Sequence, residues 1–283
     1  MKRTVGLIVD STFGLDKKYA KKYDITIVPL KVLIDDKEYI DGELDPELVI
    51  QALKDGKQVK TSQPAPELFM QAINHQLIDF KEVIVLTLSK TLSGTNNSAN
   101  LAYTIMGNNQ VHVVDTETTI NGGAYLAMNL MTYLEEEKTA EEALVYLESL
   151  KKKGSIIFTV DNLQTLVLNG RLGRVSAFIG NILKVKPILR FKDGVLELEH
   201  KTRSFSNVKL YVLSEVKKLQ AHGTVIVRIG YVDTSVQAKE LEHEIFQLGE
   251  GIDVALTGYI SPVIAAHVGL GGLGVYLSYT ENA

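Results

Sequence analysis

The sequence predicts an α/β protein in two parts: an open, mostly parallel sheet flanked by helices over the first half, and a mixed α/β sheet unit over the second. Two observations carry this. From Val5 to Leu150, short apolar runs of strand length alternate with segments whose apolar residues recur at helical spacing, the pattern of a parallel sheet covered on both faces. Beyond Gly154 the texture changes, and Asp193-Gly194 between two β-rich runs reads as a hairpin turn.

The elements follow in order. Val5–Val9 is a continuous apolar run and reads as a buried strand, with Asp16–Tyr23 as a polar surface helix. Ile25–Ile34 is rich in β-branched residues, and Asp35-Asp36-Lys37 turns the chain into a short strand near Tyr39-Ile40. Pro46 suits the first turn of a helix through Lys54. Pro64 and Pro66 open the next, with Phe69, Ile73 and Leu77 on one face. Val83–Leu88 and Val111–Val114 are strands, separated by a helix containing Ala99 and Ala102. Thr139 and Glu142 form a capping box ahead of Ala143, Leu147 and Leu150. In the second half, Ile156–Val160 is a strand and Asp161–Asn169 a short helix ending at Gly170. Val185–Phe191 and Val195–His200 form the hairpin; Val225–Ile229, Val254–Thr257 and Val275–Leu277 are strands. Between them lie two amphipathic helices, one with Val212, Val216 and Leu219, the other with Ala238, Leu241, Ile245 and Leu248. The expected boundary lies near residues 154–162.

Composition narrows the chemistry. Lys and Arg total 30 against 34 Asp and Glu, a formal charge of −4, which argues against nucleic acid or an anionic membrane as the main partner. With no Cys, there are no disulfides, thiolate metal sites or Cys nucleophiles. No targeting segment and no membrane-length apolar run stands out, so a soluble, cytoplasmic protein is expected. The nucleophile elbow, the P-loop and the zincin motif have no match. Gly269-Leu270-Gly271-Gly272-Leu273-Gly274 spells GxGxxG, but these glycines precede a strand instead of opening a helix, so the dinucleotide reading fails.

Three hydroxyl clusters are more informative. Ser89-Lys90-Thr91-Leu92-Ser93-Gly94-Thr95 follows a strand and enters a helix, where free N–H groups and a positive dipole end face an anion. Ser93 adds a hydroxyl donor, and Gly94 lets a ligand approach the backbone. Thr61-Ser62-Gln63-Pro64 repeats the form ahead of another helix, and Asp10-Ser11-Thr12 ends the first strand. Each alone is also explained as a cap or turn. Together, on one sheet edge, they favour a binding site. His267 is the one polar side chain in a short apolar helix, read either as a core histidine or as a donor to a carboxylate. Arg171 and Arg174 share a glycine-rich corner, and Lys201 and Arg203 follow the second hairpin strand. They form either a solvated basic face or a contact for phosphate or an acidic partner.

In order and spacing these stretches resemble the DegV family, and within it the fatty-acid-binding FakB branch. The matching runs are Asp10-Ser11-Thr12, Thr61-Ser62-Gln63-Pro64, Leu92-Ser93-Gly94-Thr95 with Ser98-Ala99, and Asp115-Thr116. Asn169-Gly170-Arg171-Leu172, Lys186-Pro187-Ile188-Leu189 and Ser261-Pro262 through His267 to Gly274 complete the set. Asn96 stands where the family often carries an aromatic residue, and Asn169 and Leu270 replace a common Gly and Pro. The resemblance implies a DegV-like fold of two α/β domains, residues 1–157 and 158–283, with a long-chain fatty acid between them. Thr61, Ser93 and His267 would hold its carboxylate, with Ser62, Gly94 and Thr95 in secondary positions. It implies no cofactor, no metal and no catalytic residue in this chain. A separate fatty acid kinase would phosphorylate the bound acid, and acyltransferases of phospholipid synthesis would consume the acyl phosphate. Arg171, Arg174, Lys201 and Arg203 are then candidates for kinase docking or phosphate contact. Two alternatives stay open: an acyl hydrolase using Ser93 and His267, and a lipid sensor without a kinase partner.

Overall fold

Val5–Asp10 (β1) is buried at all six positions because it lies inside a sheet covered on both faces. The computed structural model describes residues 3–161, 163–171 and 186–281. In it, β1 runs parallel to Ile25–Val28 (β2) on one side and Glu82–Thr87 (β6) on the other, and β6 to Val111–Asp115 (β7). The sheet order is β2-β1-β6-β7. Pro66–Asp79 (α3) and Thr95–Met106 (α4) cover one face, packing Phe69, Ile73, Ala99 and Ala102 against Ile8, Val83 and Val85. Ile120–Leu134 (α5) and Ala140–Lys153 (α6) cover the other. The capping box at α6 forms as read, with Glu142 N donating to Thr139 and Thr139 N to Glu142.

The second sheet has the order β10-β9-β8-β13-β11-β12. Its strands are Ser155–Thr159 (β8), Lys186–Lys192 (β9), Val195–Thr202 (β10), Thr224–Tyr231 (β11), Ile252–Tyr259 (β12) and Leu273–Thr280 (β13). β11 and β12 run parallel and the other neighbours antiparallel, which is the mixed sheet expected. The hairpin turn has positive φ at Asp193 (51°) and Gly194 (72°), as its two-residue loop requires. Phe205–Leu219 (α8) and Ser235–Phe246 (α9) cover the outer face through Val212, Val216, Ala238, Leu241 and Ile245. Among the described residues no helix is long and apolar enough to cross a membrane.

Several elements differ from the reading of the sequence. α5 occupies a stretch in which the sequence pattern marks no element. It packs on β1 and β6 with one side and on β11 and β13 with the other, so it forms the layer between the two sheets. The Ile25–Ile34 segment is divided: its second half, Lys31–Ile34 (β3), leaves the first sheet and joins Lys37–Ile40 (β4) and Val59–Ser62 (β5) in a small antiparallel sheet of order β4-β3-β5. Thr61 and Ser62 therefore end a strand, and α3 begins only at Pro66. The short helix contracts to Gln164–Leu168 (α7), and Leu248 falls past the end of α9. The position between residues 157 and 158 falls inside β8, which pairs with β9 and β13 in the second sheet. Lys17–Lys22 (α1) and Pro46–Lys54 (α2) begin with side-chain caps from Asp16 and Asp45. Pro262–Val268 (α10) packs on α2, β3 and β5.

Candidate functional site

Where the small sheet, α10 and the second sheet meet, a cavity of about 340 Å³ opens, within the size range of small-molecule sites. Leu88 just past β6, Ile156 and Phe158 of β8, Phe191 of β9, Ile120 of α5 and Val263 of α10 are among its apolar walls. Thr61, Ser62, Gln63, Ser93, Arg171 and His267 supply polar groups to the same cavity.

Strand pairing places Thr61 opposite Val32 on the small sheet. There its Oγ1 lies 2.7 Å from Nε2 of His267, on α10. Nδ1 of His267 is buried without a hydrogen-bond partner among the described residues. The neutral ring therefore satisfies its donor as the Nε2–H tautomer, an assignment made from the hydrogen-bond pattern. Thr61 then accepts from the imidazole and keeps its own hydrogen to donate into the cavity. Burial, and secondly the positive charge of Arg171, push the His267 pKa down to about 4.

That shift has a consequence for stability. An imidazole titrating near 6.5 when unfolded and about 4 when folded binds fewer protons in the native state across that interval. Its contribution is whole above pH 6.5 and is lost as the pH falls toward 4, by about 3 kcal/mol in total. His267→Gln is expected to flatten this part of the acid limb in urea titrations at pH 7, 5.5 and 4. Equal acid sensitivity in both proteins would show that His267 is not the group responsible.

Ser93 lies in the turn before α4, where its Oγ is 2.9 Å from Thr95 Oγ1 and accepts from Thr95 N at 3.3 Å. Gly94 is the N-cap of α4 and makes no side-chain bond. A Cβ there would stand 1.9 Å from Gln63 Oε1, so the glycine permits the close approach of the two loops. Gln63 Nε2 in turn donates to Ser98 Oγ at 2.9 Å. Thr95 is fully buried beneath Ser93 and supports it without lining the cavity. Ser93 and His267, the pair a hydrolase needs, bond to Thr95 and Thr61 instead of each other.

The remaining candidates separate. Arg171 reaches the cavity, donating to the backbone oxygens of Leu92 (3.3 Å) and Asn169 (2.6 Å). Lys201 is exposed on β10 opposite Pro187, Arg203 is exposed just beyond the strand, and neither lines the cavity. Arg174 lies outside the described residues. Asp10-Ser11-Thr12 is not part of the site. Asp10 is fully buried and accepts from Thr12 N, Thr12 Oγ1 and Leu88 N, while Ser11 Oγ donates to Asp41. Burial raises the Asp10 pKa to about 6. Asn96 is buried against Thr87, away from the cavity.

Gln63 and Thr119 line the site without having been singled out as site residues. A signal existed for Thr119, because Thr116-Glu117-Thr118-Thr119 is a further hydroxyl-rich run after a strand. The next residue, Ile120, has φ +40°, a strained value for a β-branched residue and one often found at ligand-binding walls.

Fold and site together define an α/β protein with an apolar cavity between its sheets and hydroxyl, imidazole and guanidinium groups gathered on it. The chain belongs to the DegV family: the family model, described as an uncharacterised protein of the DegV family, matches residues 4–280. It is similar to a DegV domain-containing protein of Staphylococcus aureus (strain MRSA252), 31% identical over 280 residues covering 95% of this chain and 96% of that one. Among solved structures it resembles a DegV family protein from Thermus thermophilus described for fatty acid binding, with TM-score 0.92, 28% identity, and coverage of 98% and 100%. It also resembles a stearic-acid-binding protein from Eubacterium ventriosum, with TM-score 0.84, 29% identity, and coverage of 99% and 98%.

Proposed function

We propose that this protein consists of two α/β domains and binds a long-chain fatty acid, with the acyl chain in the cavity between them and the carboxylate at Thr61, Ser93 and His267. The observation that carries the reading is the Thr61–His267 pair on a cavity with extensive apolar walls. Thr61 is left with a hydrogen to donate, and a carboxylate is a pure acceptor. Ser93 supplies a second hydroxyl. The fatty acids described for the similar Thermus and Eubacterium proteins support this ligand class.

In the fuller reading the protein is a carrier with no catalytic residue of its own. A separate fatty acid kinase phosphorylates the exposed carboxylate, and acyltransferases of phospholipid synthesis take up the acyl phosphate. Arg171 at the cavity, with Arg174, Lys201 and Arg203, would meet the kinase or the new phosphate. The Ser93–Thr95 and His267–Thr61 bonds favour the carrier over a hydrolase, since the nucleophile–base bond is not made.

Organic extraction of protein purified without added lipid, followed by mass spectrometry, is expected to release fatty acid at near one per chain. Extraction without lipid, together with no binding of added oleate, would overturn the reading. A burst of product from an activated acyl ester, lost in Ser93→Ala, would replace the carrier with a hydrolase.

A further inference from the structure

Asp41 is a buried carboxylate, 3% exposed, just past the end of β4, and the serine hydroxyls that donate to it are distant in sequence. Its Oδ2 accepts from Ser11 Oγ at 2.6 Å and from Ser261 Oγ at 2.9 Å. Its Oδ1 accepts from Ser261 Oγ at 3.0 Å and from Val263 N at 3.3 Å. Ser11 Oγ in turn accepts from Leu30 N at 3.0 Å, just ahead of β3. One carboxylate therefore joins the turn after β1, the small sheet and the start of α10.

The last of these joints matters for the site. α10 has seven residues, and Ser261, its N-cap residue, makes no capping bond of its own. The Ser261 hydroxyl donates to Asp41, and Asp41 takes the free Val263 N–H, so the cap comes from the small sheet. His267 stands four residues beyond Val263 on the same helix face, about 6 Å along the axis. A tilt at the first turn is carried to the imidazole. On the other side, Thr61 belongs to that same small sheet: β3 pairs Lys31 with Ile40, the residue before Asp41, and Val32 with Thr61.

We propose that Asp41 is a positioning residue for the site: by tying α10 to the small sheet it sets the contact between His267 Nε2 and Thr61 Oγ1. It touches neither cavity nor ligand and acts through His267. The placement of the imidazole does not depend on the fatty acid reading; only the ligand-release measurement below rests on it.

Ser261→Ala removes the α10 side of the joint and Ser11→Ala the opposite side, each leaving Asp41 in place. Nitrogen NMR of histidine-labelled protein, with the His267 signals assigned by His267→Gln, reads the imidazole directly. Ser261→Ala is expected to move the His267 signals and raise its titration point by a unit or more, and to speed fatty acid release about tenfold. Ser261→Thr restores both, and Ser11→Ala leaves both near the starting protein even where it lowers the melting temperature. Where Ser261→Ala does not fold, Asp41→Asn, which retains one acceptor oxygen, is measured in the same way with the same expectation. Equal displacement of the His267 signals by Ser261→Ala and Ser11→Ala would overturn the proposal, as would unmoved signals in a destabilised Ser261→Ala or Asp41→Asn protein. If the starting protein binds no fatty acid, the ligand reading fails while the imidazole measurement still decides the role of Asp41.

Discussion

Ile264→Trp is expected to abolish the proposed fatty acid binding while leaving the protein folded. Ile264 is on α10 and faces the cavity, with 9% of its surface exposed. Overpacking a filled core typically costs about 1–3 kcal/mol, but here the ring has the cavity to enter. The loss to the ligand is far larger. At roughly 0.8 kcal/mol per buried CH₂, about fifteen methylenes supply some 12 kcal/mol gross, before association costs of about 4–15 kcal/mol. Excluding half the chain removes about 6 kcal/mol, or some four orders of magnitude in affinity. Displacement of a fluorescent fatty acid measures this, with the melting temperature and circular dichroism as controls for the fold. Affinity within a factor of about three of the starting protein would place the acyl chain elsewhere.

The elements legible in the sequence are those whose local signals agree with their tertiary setting. β1 and β6 contain the unbroken apolar stretches Val5–Val9 and Val83–Leu86 because both sheet faces are covered, and the Asp193-Gly194 turn follows from backbone geometry alone. α5 was illegible for the opposite reason. Ten of its fifteen residues are buried, so it lacks the one-sided period that marks a surface helix, and Asn121-Gly122-Gly123 looks like a loop. Packing between two sheets outweighs the low helix propensity of its first turn. Of the three hydroxyl clusters, Thr61 and Ser93 reach the cavity, whereas Ser11 and Thr12 turn inward to buried carboxylates. Position at a strand end is common to all three. What draws Ser11 away from the cavity is Asp41, whose bonds to Ser11 and Ser261 join residues 30 and 220 positions away. No short motif contains such a joint.

Thr61→Val is expected to separate holding the lipid from presenting it. Valine has nearly the shape of threonine but lacks the hydroxyl, so it removes both the acceptor for His267 Nε2–H and the donor toward the carboxylate. Each such bond contributes about 0.5–1.5 kcal/mol net, a modest fraction of what the buried chain supplies. Retention of a labelled fatty acid should therefore fall by no more than about tenfold. Phosphoryl transfer to the carboxylate depends on a different property. The attacking oxygen must sit in line with the transferred group, and a displacement of about 1 Å can cost a factor of about 100. Under the proposed function, kinase-dependent formation of acyl phosphate from Thr61→Val protein loaded with lipid should fall by about 100-fold, and Ser93→Ala should act in the same direction. The decisive comparison uses saturating lipid, where weaker binding no longer limits the rate. Parallel losses in retention and in saturated rate would mean that chain and head group are held as one unit. A large loss confined to the saturated rate would identify the hydroxyl–imidazole pair as the element that aims the carboxylate, with the apolar walls setting affinity.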